Sequence, residues 1–141
     1  MGKSTKAIVN HEFAQLPEQV FNAWLDSELV KQWMFPNGDV VRIDIDARVG
    51  GSFSFVDLRE GEEIDHRGSY LEIYHPRRLA FTWGIPEESS DEDRVEVDIA
   101  KTDTGSKLTL TVEMDPNWAE YVPHTEKAWS MMLDTMEEII K

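Results

Sequence analysis

Between Val41 and Met114 apolar residues fall mostly at every second position, and from Trp118 onward at every third or fourth. This change of period constrains the fold more than any other property of the chain. Side chains alternate faces along a strand but return to one face of a helix every 3.6 residues. Val41, Ile43, Ile45 and Ala47 alternate with charged neighbours and predict a half-buried strand, which Gly50-Gly51 turns into "SFSFVDL". In "HRGSYLEIY" the reading places Ser69, Leu71 and Ile73 on one face and Tyr70, Glu72 and Tyr74 on the other, before His75-Pro76 ends the run. Leu79, Phe81, Trp83 and Ile85 alternate strictly, and so do "RVEVDIA" and "KLTLTVEM" on either side of "TDTGS". The tail steps through Trp118, Val122, Thr125, Trp129, Met132, Met136 and Ile139, one stripe of a long helix. Pro123 suits its first turn, with "NWAEY" as an irregular lead-in.

The segment before these strands has its own signals. Ala7, Val9 and Phe13 suggest a first strand over residues 5–14. Pro17 suits a first helical turn, and Val20 and Trp24 share a face at i,i+4, so Trp24 reads as core. Asp26 or Ser27 can cap a second short helix carrying Leu29, Val30 and Trp33, which "FPNG" at 35–38 terminates. The predicted order is one strand, two short helices, six antiparallel strands and a long helix. This is an α+β fold in which the sheet supplies the apolar surface that the helix needs. At 141 residues the chain is expected to be one domain over 1–141, without repeats.

Net charge is −14, with a pI near 4.5. No stripe of Lys or Arg offers the basic footprint that nucleic acid requires, so no nucleic-acid partner is expected. The acidic runs "DLREGEEID" (57–65) and "PEESSDEDR" (86–94) read as solvated hairpin loops, and neither has calcium-loop spacing. With no cysteine there are no disulfides, thiolate metal sites or cysteine nucleophiles. No apolar run approaches the ~18–20 residues of a membrane span. "MGKSTKAIVN" lacks a signal peptide's apolar stretch, and Lys6 departs from the myristoylation pattern. The expectation is a soluble cytoplasmic protein, not inserted in membranes.

Four motifs occur in order: Pro17-x-x-Val20-Phe21-x-x-Trp24, Gln32-Trp33, Gly50-Gly51 and Pro76-x-Arg78-Leu79-x-Phe81-Thr82-Trp83. With these the chain resembles the activator of Hsp90 ATPase homologue-like family. That family sits within the START-like, helix-grip superfamily (SRPBCC), with birch-pollen-allergen-like proteins and polyketide cyclases. Ala128 stands where the family usually has glycine. The resemblance implies a curved seven-stranded sheet gripping the C-terminal helix, with a cavity between them and the short helices plugging one end. It also implies a lining for that cavity: Trp33, Phe53, Phe55, Arg67, Ser69, Phe81, Trp83, Trp129 and Met132.

Some of these side chains carry two readings. Trp33, at the end of the plug, is either core or cavity wall. Arg67, read in phase with Ser69, Leu71 and Ile73, either reaches solvent or an acidic-loop carboxylate, or anchors an anionic or carbonyl group of a ligand. Met131, Met132 and Met136 either fill core gaps or line a permissive pocket. His75 reads as exposed and His11 as facing away from the apolar side of its strand. His66 and His124 could both approach the cavity mouth, as rim residues or as a pair for metal binding or proton transfer. No nucleophile elbow, phosphate-binding loop or zinc-protease motif occurs, so no catalytic residue, metal or cofactor is assigned. The leading expectation is non-catalytic binding of a small hydrophobic or amphipathic ligand, in a stress-related role. The alternatives are a protein-interaction module with a chaperone partner, and a cyclase- or hydrolase-type enzyme using the same cavity.

Overall fold

Antiparallel pairing builds the sheet, between chain neighbours except where the first strand joins the last. A computed structural model describes residues 5–35 and 39–141. Along the chain come β1 (Thr5–Phe13), α1 (Pro17–Leu25), α2 (Ser27–Trp33), β2 (Asp39–Ile45), β3 (Ser52–Arg59), β4 (Glu62–Tyr74), β5 (Arg78–Trp83), β6 (Asp93–Thr102) and β7 (Gly105–Met114). A 3₁₀ segment (Pro116–Tyr121) then leads into α3 (Val122–Ile139). Among the described residues the strands form one seven-stranded sheet in the order β1-β7-β6-β5-β4-β3-β2. The predicted α+β helix-grip architecture is the observed one, with α3 packed against β1 and α2.

Local chemistry accounts for the boundaries. Pro17 occupies the first turn of α1, where its missing N–H costs nothing. Asp26, rather than Ser27, caps α2: its Oδ1 accepts from the Glu28 and Leu29 amides at 3.0 and 3.4 Å. The predicted stop at Pro36 to Gly38 lies outside the described residues, as does Gly2. Glu60 (φ 50°) and Gly61 (φ 82°) form a two-residue turn between β3 and β4, whose left-handed backbone matches the twist of a hairpin.

Three expectations about strand phase are corrected. In β2 the register shifts between Val40 and Arg42, so Val41 bulges outward at 49% exposure and Ala47 falls beyond the strand. In β4 the register against β5 shifts between Tyr70 and Glu72. His66, Gly68 and Tyr70 therefore face the core, Leu71 is exposed, and Ile73 returns to the core side beyond the bulge. The apolar pair Leu71 and Ile73 had suggested the opposite phase. His11 shares the phase of Ala7, Val9 and Phe13, and bonds to Glu137 of α3 at 3.0 Å.

The acidic run at 57–65 is also not a solvated loop, since most of it lies within β3 and β4 and Asp57 is fully buried. Trp118, expected on the helical stripe, sits in the 3₁₀ lead-in and is 42% exposed. In α3 the buried side chains are Trp129, Met132, Leu133 and Met136. Among the described residues no helix is long and apolar enough to cross a membrane.

A cleft between the sheet and the long helix

The inward faces of β3 and β5 carry aromatic rings, because alternation aims Phe53 and Phe55 from one strand and Phe81 and Trp83 from the other, on either side of β4, at the same space. Gly68 of β4 makes room for them. A side chain there would meet the Thr82 carbonyl oxygen and the Phe53 ring at 1.8 and 2.5 Å. Trp129 of α3 closes over this layer, with ring centroids 5.4 Å from Trp83 and 6.1 Å from Trp24. Trp24 in turn meets Trp33 edge to face at 4.9 Å. Four tryptophans from α1, α2, β5 and α3 thus form one continuous cluster.

At the Trp83 end of this cluster the sheet and α3 diverge, leaving a cleft of about 730 Å³. Its apolar wall includes Met34, Phe35, Trp83, Trp129, Met131 and Met132. His66 lies between Phe35 and Trp83, with ring centroids at 4.7 and 5.2 Å. Its Nδ1 is 3.1 Å from the Phe55 carbonyl oxygen, which can only accept, so Nδ1 carries the hydrogen and Nε2 is an acceptor. Burial lowers the His66 pKa, outweighing the opposing effects of the Phe55 carbonyl and Asp57.

Beside His66 lies Asp57, in phase with Phe53 and Phe55 and fully buried. Arg59 Nε donates to its Oδ2 at 2.7 Å. Oδ1 has no hydrogen-bond partner among the described residues, and His66 Nδ1 stands 3.7 Å away. Asp93, at the start of β6, also lines the cleft; burial first, and then Asp91, push its pKa up to about 6. His124, Thr125, Lys127 and Ala128 of α3 complete the lining. Two of these, His124 and Lys127, are exposed at the mouth.

The expected lining residues therefore separate into three groups. Trp83, Trp129 and Met132 border the cleft. Phe55 and Phe81 are buried in the aromatic layer beneath it, with Phe53 beside them, and Trp33 is wholly buried with its Nε1 donating to the Ala23 carbonyl at 2.9 Å. Trp33 is core, not wall. Arg67 and Ser69 lie on the opposite face of the sheet, because the β4 phase differs from the one expected. There Arg67 Nε donates to Asp65 Oδ2 at 2.7 Å, and Arg67 and Ser69 border a separate hollow with Asp44, Asp46 and Glu92.

Of the histidines expected near the mouth, both His66 and His124 line the cleft. His75 is exposed, with Nε2 3.0 Å from Asn22 Oδ1. Phe35, Asp57, Arg59 and Asp93 were not anticipated. Asp57 had a legible signal, the two-residue step from Phe53 and Phe55, but its acidic neighbours masked it. Among the described residues no group of three or more His, Asp or Glu side chains is placed to hold a metal ion.

A family model described as activator of Hsp90 ATPase homolog 1-like protein matches residues 15–141. A Rhodobacter sphaeroides protein of solved structure superposes with TM-score 0.86 at 18% identity, covering 99% of this chain and 93% of that one. One from Nitrosomonas europaea gives 0.84 at 20% identity, covering 96% and 94%. An AHSA1-like protein from Aeromonas hydrophila gives 0.82 at 20% identity, covering 96% and 92%. At such identities the likeness establishes the fold. No curated protein sequence matches the chain significantly.

Proposed function

The chain belongs to the activator of Hsp90 ATPase homolog 1-like family, and from that premise we propose that it binds a small apolar or amphipathic molecule in the cleft between the sheet and α3. The observation that carries this reading is the cleft itself. Its volume of about 730 Å³ falls within the roughly 300–1,000 Å³ of small-molecule sites, and aromatic and methionine side chains make up most of its apolar wall. Trp83 is only half-buried although it packs on Trp129 and His66, so an aromatic surface faces the cleft. Methionine adapts its shape at little cost, which suits a wall that conforms to a guest.

Native mass spectrometry of the purified protein should reveal a co-purifying small molecule. Apolar probes should change tryptophan fluorescence, because Trp83 and Trp129 both touch the cleft. Ligand at a hundredfold excess over Kd should add about 2.7 kcal/mol of stability and raise the melting temperature. Unchanged fluorescence and melting temperature in saturating fatty acids and phenols would remove the binding reading. A chaperone-type interaction would then be tested at Trp118 and Tyr121, an exposed aromatic pair with ring centroids 5.4 Å apart.

A further inference from the structure

The inward-facing row of β3 changes character along the strand. Phe53 and Phe55 join the aromatic layer, Asp57 follows them wholly buried, and Arg59 ends the row where the cleft opens. Asp57 holds the guanidinium from behind, its Oδ2 accepting from Arg59 Nε at 2.7 Å. The remaining N–H donors of a guanidinium lie on its two Nη groups. Among the described residues those of Arg59 meet no acceptor. Glu62, opposite Arg59 across the β3–β4 pair, is exposed and makes no ion pair with it. A buried carboxylate is costly, and a well-packed apolar residue often serves stability as well. What Asp57 does achieve is an ion pair with its negative end enclosed and its positive end, a side chain 55% exposed, at the cleft.

We propose that Arg59, oriented by Asp57, is the residue through which the cleft recognises an anionic head group, a carboxylate whose oxygens accept from the two Nη groups. This rests on the binding reading above and gives it a specificity-determining residue. The anchor that the sequence suggested at Arg67 of β4 is thus assigned to β3, on the inner face of the sheet. A planar guanidinium matches a carboxylate in geometry, and charge-assisted bonds of this kind are stronger than neutral ones. Lys127 lines the cleft from α3 and adds a second positive charge at its mouth. Asp93 is the opposing charge in the lining, and burial, then Asp91, hold its pKa up at about 6. The acidic remainder of the chain, with a net charge of −14, repels an anion at long range. Salt at 0.1 M screens that repulsion beyond about 10 Å, whereas contact with Arg59 is short-range.

The test compares 2-naphthoate with 2-naphthamide, an uncharged probe of the same body and similar head-group shape, by titration calorimetry on the wild-type protein. Naphthoate should bind about tenfold tighter, the ratio that one hydrogen bond to a charged group supports. Equal affinity, or tighter binding of the amide, overturns the anchor while leaving the binding cleft intact. Binding of neither overturns the cleft reading along with it. Variants locate the effect. Arg59→Lys keeps a positive partner for Asp57 but loses the planar fork, and should reduce the preference to about threefold or less. The double variant Asp57→Asn/Arg59→Gln removes both charges without leaving a buried carboxylate unpaired, and should abolish it. Survival of the full preference in either overturns the assignment to Arg59. Loss of the preference in Lys127→Gln, with Arg59 intact, overturns it in favour of α3. The wild-type comparison stands even where a variant fails to fold.

Discussion

The two halves of α3 do different work. From His124 to Met132 the helix borders the cleft, and several of its side chains there remain exposed or half-buried. From Leu133 onward it lies on closed protein, with Leu133 and Met136 fully buried and His11 of β1 bonded to Glu137. Trp129 stands at the boundary and touches both regions, stacking toward Trp24 on one side and meeting Trp83 edge to face on the other. The same amphipathic stripe runs through both halves. What differs is whether the opposing surface meets it. A helix of one periodicity can therefore be a structural clamp along one half and a ligand wall along the other.

The boundary residue should give the largest effect. Trp129→Ala removes a ring that is only 4% exposed and should cost about 3–5 kcal/mol in chemical denaturation, as large-to-small core changes do. A loss below about 1 kcal/mol would place the ring against open space and merge the two halves into one.

The halves themselves can be set against each other. Leu133→Ala should cost about 2–4 kcal/mol. Met131→Ala, at a position 37% exposed, should stay within about 0.5 kcal/mol. Similar losses at both positions would abolish the asymmetry, and thermal melts of the two variants decide it.

A smaller effect than that of Leu133→Ala concerns pH at the open end. Asp93 has its pKa raised from 3.8 to about 6, so the folded state holds this proton more tightly than the unfolded one. Stability from this group is present below about pH 4 and lost as pH rises through about 6, because there the unfolded chain binds fewer protons than the folded one. Asp93→Asn should therefore be more stable than wild type above pH 6, by on the order of 1 kcal/mol after allowing for partial exposure. The gain should vanish near pH 4, and denaturation at the two pH values measures it. A gain of equal size at both would detach the effect from the titration of Asp93.

The element order and the meander of the last six strands were legible in the sequence, because both follow from local periodicity. The pairing of β1 with β7 was not, since it joins the first strand to the last. Strict alternation in residues 79–85 and the four-and-three steps of the tail admit little besides a strand and a helix. Trp83, Trp129 and Met132 could be placed at a helix–sheet boundary once the family resemblance was added. The polar side of the cleft could not be read in this way. Whether Arg67 or His66 faces inward depends on a single extra residue in β4, and a one-residue slip exchanges every side chain between faces. No local pattern announces that slip, since Leu71 is as apolar as a core residue. Burial of Asp57 is likewise a property of what covers it, and its own acidic neighbours point toward solvent. The sequence by itself determined which elements form and which stripe of each is apolar, because those are short-range properties of the backbone and of side-chain spacing. Only the tertiary structure decided where the opposing surfaces meet and where they part, because packing sums contacts from distant segments and a bulge at one strand position redirects all that follow it.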